Sequence, residues 1–496
     1  MAVSISSYFA ETLKFSTRKE YIPLKHILVL FTDQQRWDMI GALGNDHIQT
    51  PNLDALVRDS ITFNRCSTPS PVCVPARLSM FSGQYPARTG CNNNNVENVY
   101  DGEGFYAELT KAGYQSCCVG KMHYLKDPYG PMGFEKRWTQ EELAEPEDDY
   151  TKFIMEKYPW IIDYNGMRSE MYYMPQISQL PAKDHPTAWI ADKSVEYIEQ
   201  CDPDRPMLLV SSFIHPHPPY CPPSPWQKLY REDPPAPIEV EKEELDKFWD
   251  MIGDRCGCER LQMSRQDVLR SKNFYYACMS FVDYQVGRII QALKDKGMYD
   301  DTLILFASDH GDMIGDYNAI GKRAMVDSSS RVPFIIHYPG MGHEERYEPC
   351  SLVDVAPTIL SYAGVPYDEG EYDGVDLFKP HDRKYVYSQH GCGDKGTYMI
   401  TDGVHKLVYI KASGCYHYFD TIPEVRDIYD PDDPKVQEMR ALLDAYRLSD
   451  RNTSATSKTY EKYTKTHPHY PGRMDHTMRH DEEAAMIPPG YTIDLA

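Results

Sequence analysis

Four short, uninterrupted apolar runs set the strongest limit on what this chain can fold into. Ile27–Phe31 (ILVLF), Met207–Val210, Leu303–Phe306 and Phe334–Ile336 are each bounded by polar residues, the pattern of strands buried on both faces. Between them, Val282, Val286, Ile289, Ile290 and Leu293 fall on one face of a helix. Strands separated by helices argue for right-handed crossovers. The expected class is α/β, a mainly parallel sheet sandwiched by helices.

In such a sheet, ligands sit where strands end and loops begin. Thr32-Asp33-Gln34-Gln35 follows the first run, and Ser308-Asp309-His310-Gly311-Asp312 follows the third. The second leads into Phe213-Ile214-His215-Pro216-His217-Pro218-Pro219. Three strand ends therefore offer acid, amide and imidazole groups to one sheet edge.

Pattern and composition divide the rest of the chain. Residues 1–384 read as the catalytic α/β body, with Pro-, acid- and aromatic-rich insertions near 138–185 and 218–265. Their aromatics include Trp138, Trp160, Tyr172, Tyr173, Trp226 and Trp249. Loops of this length serve either as surface structures with small cores of their own or as substrate walls. Residues 385–450 read as a small antiparallel sheet, with strands at Lys384–Ser388, Tyr398–Thr401, Lys406–Ile410 and Tyr416–Phe419, then a helix near Val436–Leu448. Residues 451–496 form a polar tail, read as disordered or as an arm wrapping the body or a neighbouring copy in a homo-oligomer.

The formal net charge of −22 disfavours nucleic acid and anionic membrane as partners. No run of about 18 apolar residues marks a transmembrane helix, and the first residues lack the basic-then-apolar pattern of a secretory signal. The 13 scattered cysteines read as reduced thiols, and the expected location is cytoplasmic. Cys256-Gly-Cys258 is too closely spaced, with no matching pair, for a zinc site.

The most specific segment is Cys73-Val74-Pro75-Ala76-Arg77, followed at a short distance by Gly83. Together with Asp33-Gln34 and Asp309-His310 it resembles the type I, formylglycine-dependent sulfatases of the alkaline phosphatase-like superfamily. Gly120-Lys121-Met122-His123, Pro216-His217-Pro218, Gly321-Lys322, Arg331-Val332-Pro333, Asp354-Val355-Ala356-Pro357-Thr358 and Ala363-Gly364-Val365-Pro366 extend the resemblance in the family's order. Ala76 stands where Ser is commoner, and Gln34 where an Asp is frequent. Asp-Gln and the Pro-His-Pro-Pro run also resemble phosphonate monoester hydrolases.

The resemblance implies that Cys73 is converted to formylglycine by a maturation enzyme, and that its hydrate attacks the sulfur of a small-molecule sulfate ester, aryl or carbohydrate. It implies one divalent metal on Asp33, Gln34, Asp309 and His310, with residue 73 at the same centre. The family points to calcium; imidazole among the ligands leaves manganese open. Arg77, Lys121 and Lys322 are expected to neutralise the sulfuryl group and pin the nucleophile. His217 is the expected acid for the leaving oxygen, His123 a hydrogen-bonding partner of nucleophile or sulfuryl oxygen, and His215 a scaffold or pocket residue. Within Asn92–Asn95, Asn94 is the candidate for substrate contact. Two rivals stand beside this reading: a phosphonate monoester or phosphodiester hydrolase with the same nucleophile, and a silent binding protein on the same fold.

Overall fold

In a computed structural model, the run at 27–31 lies inside an eight-stranded sheet. The structure describes residues 25–94, 103–123, 127–142, 145–161, 164–168, 171–253, 256–391 and 393–450. The tail at 451–496 lies outside the described residues.

The strands are β1 (His26–Asp33), β2 (Ile61–Phe63), β3 (Cys66–Ser67), β4 (Gln115–Gly120), β5 (Lys136–Trp138), β6 (Met207–Pro216), β7 (Thr302–Ser308), β8 (Phe334–His337), β9 (Glu344–Arg346) and β10 (Cys350–Ser351). The main sheet runs β5-β4-β6-β1-β7-β8-β2-β9, while β3 and β10 form a separate pair. The strands from β5 through β7 are parallel. Both faces of β1 are covered, which is why its sequence shows no polar alternation. Ile27, Val29 and Phe31 pack with Leu78, Phe81, Val355 and Ile359 on one side. Leu28 and Leu30 pack with Ile190, Val282, Val286, Ile289 and Leu293 on the other. The last four residues belong to the Arg265–Asp295 helix, whose start is fixed by a capping box between Ser264 and Asp267.

The Phe334–Ile336 run departs from its three counterparts. It lies in β8, which pairs antiparallel with β7. The connection from Ser308 to Phe334 carries only short helical turns, and without a crossover helix the chain returns in the opposite sense.

The C-terminal strands are β11 (Val386–His390), β12 (Thr397–Thr401), β13 (Lys406–Ile410) and β14 (Cys415–Phe419), an antiparallel meander. One face holds Ile400 and Leu407 against Val436, Met439 and Leu443 of the Pro434–Leu448 helix. The other face holds Met399, Val408 and Phe419 against Ala324, Met325 and Val326, with Phe248 and Met251 of the second insertion filling the gap. Buried Lys406 donates to Asp327 (2.5 Å) and to Glu424. The small sheet thus buttresses the loop that carries Lys322. The first insertion is partly scaffold too, since Tyr150, Ile154, Tyr164 and Leu180 join the main core.

The described cysteines are free thiols, all buried except Cys415. No helix of the described residues is long and apolar enough to cross a membrane.

His417 on β14 ties the small sheet to both neighbours, with Nε2 2.9 Å from Asp250 and Nδ1 2.8 Å from Asp427. Burial opposes its charge, but the two carboxylates win and raise its pKa to about 9. A raised folded value stabilises fully below the unfolded value of about 6.5 and is lost as pH rises through the folded one. Because Asp250 is partly open to solvent, the expected contribution is on the order of 2 kcal/mol. In urea unfolding, the gap between wild type and His417→Gln should be widest at pH 6 and close as pH approaches 9.5; a gap independent of pH would contradict this.

Candidate active site

The β1 and β7 ends are brought together by register. Thr32 pairs with Ser308, so Asp33 and Asp309 emerge side by side. Gln34 turns away from the strand at φ 65°, an uncommon conformation for a residue with a Cβ. Its backbone N–H donates to Asp309 Oδ1 at 2.9 Å. Gly311 is required just beyond, because a Cβ there would lie 2.0 Å from the Ser328 carbonyl oxygen. Gly120, at the end of β4, has φ 96°, and its Cβ would lie 2.1 Å from the Ser212 carbonyl oxygen. That close approach delivers Lys121 to the centre.

Cys73 opens the Cys73–Ser82 helix, and Arg77 lies one turn further on the same face. The Arg77 guanidinium is fully buried and spends its donors within the protein. Nε reaches Asp309 Oδ2 (2.9 Å), Nη2 reaches Asp33 Oδ2 (3.0 Å), and Nη1 reaches both the Lys121 carbonyl and Ser212 Oγ (2.9 Å each). Arg77, expected to neutralise the sulfuryl group and pin the nucleophile, here clamps the two strand-end carboxylates. Lys121 Nζ donates to Asp33 Oδ2 at 2.7 Å. Lys322 Nζ donates to Cys73 Sγ at 2.8 Å and stands 3.3 Å from His310 Nε2. The Lys322 carbonyl accepts from the Cys256 thiol at 3.3 Å, so the Cys256-Gly-Cys258 segment steadies this loop.

Asp33, Cys73, Asp309 and His310 direct ligand atoms to within 4.8 Å of one another. The donor chemistry fits a cation. His310 Nδ1 donates to the Gly311 carbonyl at 2.9 Å, which leaves Nε2 as a lone pair aimed at the centre. Gln34 Nε2 donates to Asp312 Oδ2 at 2.6 Å, while its Oε1 is buried without a partner. An amide fixed so that its oxygen is orphaned suits a cation ligand.

A second cluster, His185, His215 and Cys221, has the opposite chemistry. His185 Nδ1 accepts the Thr187 N–H at 3.3 Å, so Nε2 carries the proton and donates to the Cys221 carbonyl at 3.2 Å. Both nitrogens are spent. The Thr187 hydroxyl lies 3.1 Å from His215 Nδ1, which places His215 in the scaffold.

His217 Nδ1 donates to the Pro218 carbonyl at 2.7 Å, so its Nε2 faces the Tyr172 hydroxyl at 3.4 Å and Asp33 Oδ1 at 4.0 Å. His123, at φ 60°, places Nδ1 3.8 Å from both Glu141 and Glu142. Asn94 Oδ1 accepts the Val74 N–H at 3.0 Å and so sits against the first turn of the Cys73 helix.

The electrostatics divide the two carboxylates. Burial pushes Asp33 up, but the Lys121 and Arg77 charges outweigh it and hold it well below the usual carboxylate range. Burial and the neighbouring Asp33 charge raise Asp309. The Cys73 thiol is raised by burial and by Asp33, despite Lys322 beside it. Burial and Lys121 lower His123 to about 3, and burial and Lys322 lower His217 well below its ordinary value. Both rest neutral.

Several site groups carry no signal in the sequence pattern. Glu142 accepts from Lys121 Nζ at 3.0 Å, and Arg168 pairs with it at 2.8 Å. Asp312, although within the Ser308–Asp312 segment, shows its part only through Gln34 and the Tyr220 hydroxyl, each 2.6 Å away. Tyr172 was legible only as one aromatic of an insertion.

The sulfatase family model matches residues 25–365, the stretch that contains every group described above. The chain belongs to the sulfatase family. This sulfatase is 29% identical over 438 residues to an arylsulfatase of Clostridium perfringens, covering 81% of this chain and 89% of the relative. It is 32% identical over 372 residues to a choline-sulfatase of Rhizobium meliloti, covering 71% and 70%. Its fold matches phosphonate monoester hydrolase of Agrobacterium radiobacter, with TM-score 0.71 and 23% identity over 86% of this chain and 95% of the other. The sulfatase is a sulfuric ester hydrolase on an alkaline phosphatase-like α/β fold.

Arg77→Met should leave Asp309 buried without its partner and Asp33 with Lys121 alone. The expected loss is about 3–5 kcal/mol in urea unfolding of the metal-chelated protein; a loss under about 1 kcal/mol would show that the clamp carries no stability.

Proposed function

We propose that this sulfatase hydrolyses an aryl or carbohydrate sulfate monoester through the hydrate of a formylglycine made from Cys73. The observation that carries the reading is the convergence on residue 73. Its Sγ, marking where the hydrate oxygens would stand, lies 2.8 Å from Lys322 Nζ, 3.3 Å from His310 Nε2 and 3.7 Å from Asp33 Oδ1. Cys73, Pro75 and Arg77 are buried, so a formylglycine-generating enzyme must act before the fold closes.

A divalent cation held by Asp33, Gln34, Asp309 and His310, calcium or with manganese as the alternative, would lower the hydroxyl pKa on residue 73 and polarise a sulfuryl oxygen. The chain's own groups supply the rest. Asp309, with its raised pKa, accepts the hydroxyl proton as the oxygen attacks sulfur. Lys322 holds the nucleophilic side chain in line. Lys121, His123 and His217 surround one volume beside it and would take the remaining sulfuryl oxygens. An arriving anion raises the His217 pKa again, and a protonated Nε2 can then give its proton to the departing oxygen. The second hydroxyl of residue 73 then gives its proton to the deprotonated His217 Nε2, the aldehyde reforms as the carbon–oxygen bond to sulfate breaks, sulfate leaves, and water restores the hydrate. Tyr172 and Arg168 at the mouth offer planar faces to an aromatic or sugar group.

The second reading, a phosphonate monoester or phosphodiester hydrolase, is favoured by Gln34, whose neutral oxygen stands where a second carboxylate is frequent. Rates on aryl sulfate, sugar sulfate, phosphodiester and phosphonate monoester separate the two. With Lys121, His123 and His217 taking the sulfuryl oxygens, a second organic group would compete for one of those positions, so a sulfate should lead in kcat/KM by at least about tenfold. Lys322→Ala should lower kcat more than it raises KM, because the charge it stabilises grows in the transition state. A phosphonate or phosphodiester outrunning every sulfate would install the second reading.

A further inference from the structure

The centre is buried in this structure, and one carboxylate lies against its cationic side. Cys73, Asp33, Lys121 and His310 are each 0% exposed, and His217 is 2%. Glu142 lies over them. Its Oε2 is 3.0 Å from Lys121 Nζ and 3.8 Å from His123 Nδ1, and its Oε1 is 3.9 Å from His217 Nε2 and 2.8 Å from Arg168 Nη2. Lys121, His123 and His217 are the groups assigned above to the sulfuryl oxygens. Lys121 Nζ donates to this carboxylate and the two imidazoles stand within 4 Å of it, so a sulfuryl group cannot take its place beside Lys121 while the carboxylate stays.

We propose that the Glu142 carboxylate is an internal anion that occupies the sulfuryl position of the ligand-free enzyme, and that substrate binds by displacing it toward Arg168. The proposal rests on the reading that Lys121, His123 and His217 hold the substrate anion. The exchange is balanced in charge, because a sulfate monoester and a carboxylate each bring one negative charge to Lys121. Arg168 gives the displaced carboxylate a place to go. It also reaches the Glu142 carbonyl at 3.5 Å, and its guanidinium lies 5.5 Å from the centre of the Tyr172 ring, so it stays in place when Glu142 turns. A neutral alcohol product carries no anion and cannot hold Glu142 away. Return of the carboxylate to Lys121 then expels sulfate and closes the site. Glu142 thereby sets a threshold: only an oxyanion that outcompetes a carboxylate for Lys121 gains access to residue 73.

The test is calorimetric binding of inorganic sulfate, and separately of inorganic phosphate, to the full-length metal-loaded protein. Glu142→Asp keeps the charge but is one methylene too short to span from Arg168 to Lys121. Both Glu142→Asp and Glu142→Gln should bind sulfate at least about fivefold more tightly, the gain from removing a competing closed state. In crystals soaked with sulfate, the wild-type Glu142 carboxylate should lie beyond hydrogen-bond reach of Lys121 Nζ and remain paired with Arg168. Glu142→Asp within twofold of wild type while Glu142→Gln tightens would mean simple charge repulsion and would overturn the proposal. So would a Glu142–Lys121 contact kept with sulfate bound beside it, or no binding of either anion by any of the three proteins. No turnover enters these readouts. If the rate panel favours phosphorus esters, tighter phosphate binding by both variants still supports the displacement while the sulfate reading fails alone.

Discussion

The buried guanidinium of Arg77 is the interaction on which the rest of the site depends. Two carboxylates at adjacent strand ends repel each other, and in a dry interior they cannot both stay ionised without a cation between them. Arg77 supplies that cation in the one side-chain geometry that reaches both at once, with Nε on Asp309 and Nη2 on Asp33. Burying it costs several kcal/mol unless its donors are satisfied, and the Lys121 carbonyl and Ser212 hydroxyl take both Nη1 hydrogens. Because Arg77 sits one helical turn after Cys73, the residue that orders the carboxylates also fixes the residue they serve.

That clamp explains how a protein of net charge −22 prepares a site for an anion. Lys121 and Lys322 are held charged by the carboxylates around them, inside a core that excludes water and so leaves their field unscreened. The loop carrying Lys322 is fixed from behind by Cys256 and by the packing of β13 and β14 on Ala324–Val326. The small C-terminal sheet therefore contributes to the site without lending a side chain to it.

Much of this was legible in the sequence because it lies at strand ends and on one helix turn. Ile27–Phe31 announces a doubly buried strand, so Asp33 had to emerge at the sheet edge. The spacing of Cys73 and Arg77 puts both on one face. The Gly120-Lys121-Met122-His123 motif marked Lys121 and His123. What Arg77 touches was not legible, since a motif gives a position and not a partner. Glu142 and Arg168 were invisible for another reason. They lie in an insertion with no periodicity, and Glu142 is one acid among Glu141, Glu145 and Glu147, with nothing in the pattern to single it out. Only the three-dimensional path of the loop sets it over Lys121. The direction of β8 was missed because an apolar run looks the same in either sense.

The most direct measurement is peptide mass spectrometry of residue 73 in preparations of graded activity, made with and without a formylglycine-generating enzyme. Turnover should rise in proportion to the fraction of Cys73 that has lost its sulfur and gained an aldehyde oxygen. It should vanish where the thiol is intact, since a thiol raised by burial at this position is a protonated, weak nucleophile. Full sulfate-ester turnover in a preparation whose residue 73 is entirely unmodified cysteine would contradict the mechanism.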